Sequence, residues 1–211
     1  MKPGHILLIA AFITTAAFAQ KKDSSSIGDN TSNQEIEYSR PGKYHHLLAD
    51  LVGSWNFRGS HFEWIDSVTS KVSINLFGTA VRTSFANGRF FIVNMTTGGK
   101  IQLPIQDGKM IDDYGKGIQT EGYDNVKNKY QISYINNHLG SDIWNFEGTY
   151  DSTTRTITFD GEIELVPGKK TKNHFLFIFI DQDHYKWEFD EEENGKYRKA
   201  SEMNFTRVKK K

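Results

Sequence analysis

This sequence predicts an all-β fold: an up-and-down antiparallel β-barrel of about nine or ten strands with a short N-terminal helical lid. Two observations and one physical argument carry the prediction. From Gly53 onward most segments alternate apolar and polar residues with a period of two, which buries one face of each strand. Turn signals such as Asn87-Gly88, Asp151-Ser-Thr-Thr-Arg155 and Pro167-Gly168 separate these segments at short, regular spacing. Closure of the sheet also removes the exposed edges that an open sheet of this size would carry.

The first nineteen residues stand apart from the fold. Lys2 gives a positive start, Ile6 to Phe18 is apolar apart from Thr14 and Thr15, and Ala17-Phe18-Ala19 is a small-x-small cleavage signal before Gln20. This reads as a cleaved secretory signal peptide, too short for a spanning helix, and it predicts a secreted or periplasmic protein. An uncleaved anchor is the alternative. Removing residues 1–19 takes away Lys2 and no acid, so the mature chain carries one net negative charge. No second long apolar run follows, and no integral membrane segment is expected in the mature chain. The absence of cysteine excludes disulfides and a lipid-anchored lipoprotein, so a buried core must supply the stability. Residues 20–43 are polar, end in Arg40-Pro41-Gly42, and read as a flexible leader.

Tyr44 to Val52 places Leu47, Leu48 and Leu51 at the 3–4 spacing of a short helix that Gly53 stops. In Gly53 to Glu63, Trp55, Phe57 and Gly59 share one face. Val68 to Phe85 reads as a second strand that bends near Gly78, and after Asn87-Gly88 the third brings Phe91, Val93 and Met95 to one side. Gly98 to Gly117 holds Pro104, Asp107-Gly108 and Gly115-Lys-Gly117, and reads as a long loop and a short strand. Beyond it, Tyr130, Ile132 and Tyr134 alternate with polar neighbours, as do Trp144, Phe146 and Tyr150, and then Ile157, Phe159, Gly161, Ile163 and Leu165. Phe175 to Ile180 is apolar throughout, which predicts a strand covered on both faces. Tyr185, Trp187 and Phe189, then Met203, Phe205 and Arg207, complete the series; Glu191 to Gly195 reads as a solvated turn. The barrel domain is therefore residues 44–208, with 209–211 a basic tail.

Several function classes find no support. The 26 basic and 26 acidic residues give no electrostatic reason for nucleic acid as partner. Seven histidines lack ligand spacing; the adjacent His45 and His46 would point about 100° apart on a helix, so neither a metal nor another cofactor is expected. His45 instead reads as a packing or capping residue of the lid. Asp112-Asp113 and Asp181/Asp183 read as solvated acids in turns, Gly115-Lys-Gly117 lacks the P-loop pattern, and no Gly-x-Ser-x-Gly elbow occurs. No catalytic residue is assigned.

Arg207 shares a face with Met203 and Phe205, so its guanidinium points inward, which is costly unless paired or stacked. Closure places the first and last strands side by side, so stacking on Trp55 would resolve that cost. Escape to solvent at a frayed end is the alternative. Gly53-Ser54-Trp55 after a short helix, with Arg207 in the last strand, looks like the calycin signature shared by lipocalins. A closer match comprises His45 to Trp55, Gly88-Arg89-Phe90, Gly122-Tyr123-Asp124 with Lys129-Tyr130, and Gly148-Thr149-Tyr150-Asp151. In this order these segments resemble an uncharacterised bacterial domain-of-unknown-function family whose members read like calycin-type barrels. The family usually has a second Gly shortly after the Trp; Gly59 stands two residues late. The resemblance covers Tyr44 to Arg207 and implies the fold, with Gly53, Trp55 and Arg207 closing the barrel. It implies no activity.

Tyr130, Tyr134, Trp144, Phe146, Tyr185 and Trp187 are the expected interior set. The polar handles of the Tyr and Trp side chains suit a pocket, between the open end and the lid, for a small and mostly apolar molecule, the one partner expected. Two other readings stand beside it: a barrel filled by its own side chains that meets a partner through its surface, and a hydrolase or isomerase, which would need a polar cluster with shifted ionisation inside.

Overall fold

Ten antiparallel strands close on themselves, each paired with its sequence neighbour and the last with the first. The computed structural model describes residues 33–66, 68–138 and 140–209. The expected signal peptide and most of the leader lie outside them.

Two short helices, α1 (Asn33–Tyr38) and α2 (Lys43–Ala49), precede the strands β1 (Gly53–Trp64), β2 (Ser70–Phe85), β3 (Phe90–Pro104), β4 (Met110–Asp124) and β5 (Lys129–Asn136). These continue into β6 (Trp144–Asp151), β7 (Thr156–Val166), β8 (Lys169–Phe179), β9 (His184–Glu193) and β10 (Lys196–Arg207). Closure is made by β1 and β10, with Trp55 opposite Arg207 and Phe57 opposite Phe205. At Gly59 the two strands approach so closely that a Cβ would run into the backbone of Glu202 and Met203. The inward face carries one continuous core, including Trp55, Phe57, Phe91, Val93, Ile132, Phe159, Phe177, Trp187 and Phe205.

The lid is α2. Leu48 and Leu51 are buried against the barrel mouth, and the Trp55 indole donates to the Leu51 carbonyl at 2.8 Å. Tyr130 donates its hydroxyl to the Tyr44 carbonyl at 2.9 Å, and the Tyr44 ring stacks on Tyr123 at 4.6 Å. The Gly42 N–H donates to His45 Nδ1 at 3.0 Å, so the buried His45 completes the first turn of the helix. The mouth opposite α2 is bounded by the β1–β2, β3–β4, β5–β6, β7–β8 and β9–β10 turns.

Four expectations differ from the structure. Gly98 to Gly117 is a long hairpin, not a loop with a short strand: β3 and β4 pair from Phe90–Gly122 to Pro104–Met110. The register shifts between Thr96 and Lys100, where the Phe77 ring lies over Gly98. The glycines that read as loop are a β-bulge under an aromatic ring. Asp107 and Gly108, both with positive φ, make the turn, and Pro104 sits at the strand end, where its missing N–H does little harm. Second, β8 is covered on one face only: Phe175, Phe177 and Phe179 are buried, Leu176 and Ile178 half-buried, and Ile180 49% exposed. Leu176 and Ile178 pair across to Glu188 and Lys186, whose aliphatic stems lie on the same outer face. Third, the end of the leader is helical. α1 forms at residues 33–38, and the Asn125 amide donates to the Tyr38 and Arg40 carbonyls at 2.8 Å, fixing the chain beside the β4–β5 turn. The turn after β9 falls at Asn194-Gly195, with Glu191 to Glu193 still in the strand.

Candidate functional site

Side chains of complementary polarity stack in layers from the lid mouth into the lumen. Arg207 is uppermost. Its guanidinium carbon lies 4.1 Å from the Trp55 ring, and its nitrogens donate to the carbonyls of Asp50 (2.6 Å), Val52 (2.9 Å) and Gln182 (2.9 Å). Those acceptors come from the α2 end and the β8–β9 turn, so one planar cation ties the lid, the turn and the seam. Gly53, at φ +138°, leaves room for it; a Cβ there would stand 3.0 Å from Arg207 Nη1. Beneath Arg207 the Trp55 indole meets the Tyr185 ring edge-on at 4.7 Å, and Tyr185 in turn faces the Arg82 guanidinium at 5.4 Å.

Above this stack lies a cleft of about 540 Å³. Leu47, Leu51, Tyr150 and Phe179 form its apolar walls, and Asp50, Arg155, Asp181, Gln182, Asp183 and Arg207 form its polar rim. Tyr150 and Phe179 pack edge to face at 6.1 Å, and Arg155 is held by donating to the Ile180 carbonyl at 2.8 Å. Backbone N–H donation from Asp183, followed by the His184 ring, holds the Asp181 carboxyl below its usual range. The rim is therefore a ring of fixed charges of both signs around an apolar floor.

Below the stack lies a second polar group. Arg82 Nη2 donates to Glu121 Oε1 at 2.7 Å, with both side chains essentially excluded from solvent, and Gln119 Nε2 donates to the same oxygen at 2.6 Å. Glu121 Oε2 and Gln119 Oε1 are buried without a hydrogen-bond partner, while the Tyr185 hydroxyl lies within interaction distance of the Arg82 guanidinium. Burial pushes the Tyr185 phenol well up, against the opposing pull of the Arg82 charge. Among the described residues, no group of three or more His, Cys, Asp or Glu side chains is placed to hold a metal ion.

The six sequence-predicted aromatics are distributed along the lumen. Tyr130 belongs to the lid end, edge-on to Tyr123 at 4.9 Å. Tyr185 and Trp187 sit mid-barrel, Trp187 stacked on Phe177 at 5.1 Å and Tyr185 on Phe205 at 4.4 Å. Phe146 packs against Phe175 and Phe189 nearer the opposite mouth, where Tyr134 and Trp144 meet at 5.6 Å. Tyr134 lies over Gly117, and burial pushes its phenol up to about 12. None of the six lines the 540 Å³ cleft. Arg82, Gln119 and Glu121 escaped the sequence reading because apolar Phe77 and Val81 dominate the other face of β2. Hairpin symmetry was the missed signal: counting outward from Asn87-Gly88 sets Arg82 opposite the inward Val93, and counting outward from the β4–β5 turn sets Glu121 opposite Ile132.

A family model described as a protein of unknown function (DUF1579) matches residues 40–207, and the chain belongs to that family. No curated protein matches it.

Proposed function

We propose, on that membership and the geometry of the lid mouth, that this protein is an exported lipocalin-like barrel that holds a small, mostly apolar molecule with a polar end. The ligand lies in the cleft between α2 and the barrel mouth. The 540 Å³ cleft carries the reading, since its size and its apolar walls under a polar rim suit a small molecule with one polar end. The apolar body rests on Leu47, Leu51, Tyr150 and Phe179, and the polar end meets Arg155 and the β8–β9 turn. Arg207, on the rim, stacks on Trp55, and the two close the barrel below the cleft. Export follows from residues 1–19, and N-terminal sequencing of the secreted protein should begin at Gln20.

Native mass spectrometry of protein purified from its own host tests the binding reading. The expected result is an adduct that Leu47→Trp, which fills the cleft, no longer retains. Adduct-free protein from the host, or an adduct that survives Leu47→Trp, would sink it.

One observation favours a surface-binding module instead. On the outer face of β2–β5, Val81, Ile118 and Ile135 are 41%, 44% and 43% exposed, and cross-strand pairing aligns them through Asn94. Cross-linking to a host protein that Ile118→Lys abolishes, with no adduct in the cleft, would establish that reading.

A further inference from the structure

We infer that the cleft between α1 and the β2–β3 turn is a second binding site, and that its occupant is a small monocarboxylate on a compact apolar body. The cleft measures about 310 Å³ and shares no lining residue with the cleft at the lid mouth. Ile36, Arg40 and Pro41 form one wall, and Ala86, Asn87 and Arg89 form the other.

An unmatched cation sets the charge of the guest. Among the described residues four arginines are buried or half-buried, and three of them have a carboxylate partner: Arg82 with Glu121, Arg198 with Glu193 and Arg207 with Asp183. Arg89 is the fourth, half-buried, and has none. A partly desolvated guanidinium gains more from an anion than an exposed one does. Across the cleft Arg40 is paired with Glu37 at 2.8 Å. Two cations less one acid leave a single positive charge, which one carboxylate balances and a doubly charged phosphate monoester overshoots.

The turn sets the donor face. Arg89 Nε donates to the Ala86 carbonyl at 3.3 Å, which fixes the plane of the guanidinium. Its two terminal nitrogens remain as a fork for the two oxygens of a carboxylate. Ala86 and Asn87, neither a glycine, both hold left-handed backbone, at φ 50° and 58°. Alanine adopts that conformation only where its surroundings enforce it, and here it holds the carbonyl that aims Arg89.

The facing wall is anchored separately. The Asn125 amide holds the Tyr38 and Arg40 carbonyls, so α1 stays beside the mouth although it buries no residue of its own. Ile36 is left 44% exposed and lines the cleft together with Pro41 and Ala86. A cleft of this size, walled by three small apolar groups, suits a compact body.

Benzoate, benzamide and benzamidinium have nearly the same shape and are anionic, neutral and cationic, so they serve as probes. Each is titrated into the intact protein at neutral pH and constant ionic strength, and 1H–15N NMR follows the backbone amides of Asn87, Gly88 and Arg89. Benzoate is expected to shift these signals saturably in the millimolar range, with benzamide and benzamidinium weaker by about tenfold or more. Arg89→Gln should weaken benzoate by about tenfold. Glu37→Gln removes the competing acid and should tighten benzoate by about twofold to threefold, a gain that misfolding cannot imitate. Should Arg89→Gln fail to fold, Glu37→Gln decides, and unchanged or weaker benzoate binding there overturns the inference. Leu47→Trp should leave the response intact, which separates this site from the cleft at the lid. Benzamide or benzamidinium binding as tightly as benzoate, an undiminished response in Arg89→Gln, loss of the response in Leu47→Trp, or no saturable shift with any probe also overturns it.

Discussion

Two clusters of cations and carboxylates sit on the inner and outer faces of the barrel wall. Inside, one guanidinium faces one carboxylate out of reach of water. Outside, on β9 and β10, Lys186 bridges Glu188 (2.5 Å) and Glu202 (2.9 Å), while Lys199 bridges the same two acids at 3.0 Å. Each outer charge has two opposite neighbours and partial access to solvent, so losing one partner leaves another partner and water. The inner pair has no second counter-charge and no water, only the Gln119 amide on Glu121. The difference teaches that burial, not the number of ion pairs, decides what a charge contributes here.

The sharpest way to break that comparison is to delete one inner partner. Arg82→Met or Glu121→Leu alone should destabilise the protein by about 3–5 kcal/mol, whereas the double substitution should cost far less or stabilise. Urea unfolding of the four proteins gives the coupling; additive single costs would show that the pair is hydrated rather than buried. Next in size is the mouth. Arg207→Leu strands three carbonyls and removes the stacking on Trp55, so we expect a loss of about 2–3 kcal/mol, with Arg207→Lys recovering less than half. Thermal unfolding together with Trp emission measures it, and an Arg207→Lys protein of full stability would show that charge alone suffices. On the outer wall, Lys186→Met should cost less than about 1 kcal/mol, and raising salt should shrink that cost.

Acid should separate the regions at the smallest scale. Burial holds the His45 ring below its ordinary value of 6.5, and repulsion from His46 adds to the effect. A depressed pKa means the unfolded chain takes the proton first. The stability His45 lends is therefore complete above about pH 6.5 and is lost as pH falls towards the folded value. Glu188 and Glu202 are held below 4.5 by the two lysines, although burial of Glu188 works the other way. Their contribution is complete above about pH 4.5 and is lost below it. Protection factors of α2 amides, corrected for intrinsic exchange, should therefore fall before those of β9 and β10 as the pH is lowered. Simultaneous loss of protection would contradict the assignment.

The strands were legible because a half-buried strand writes its burial into alternate residues. Trp55-Asn-Phe57 and Tyr130-Gln-Ile132 display this plainly. The pattern misled where the outer face is itself apolar, as at Leu176 and Ile178, because periodicity cannot distinguish a covered face from one dressed by lysine and glutamate stems. It also misled at Gly98-Gly99, where glycine usually signals a loop and here accommodates the ring of Phe77. Of the cleft, Leu47 and Leu51 lay within the lid read from the sequence. Arg155 and Phe179 did not stand out, since a mouth is assembled from five separate segments.

By itself the sequence determined the all-β class, the lid before the first strand, and a single sheet with its ends joined, because each depends on local periodicity, turn chemistry and neighbour pairing. Only the tertiary structure decided that Arg82 meets Glu121, 39 residues further on, and that both face Tyr185 across the lumen. Distances across a closed barrel depend on how far its strands stagger around the axis, a quantity summed over ten pairings and written in none of them alone.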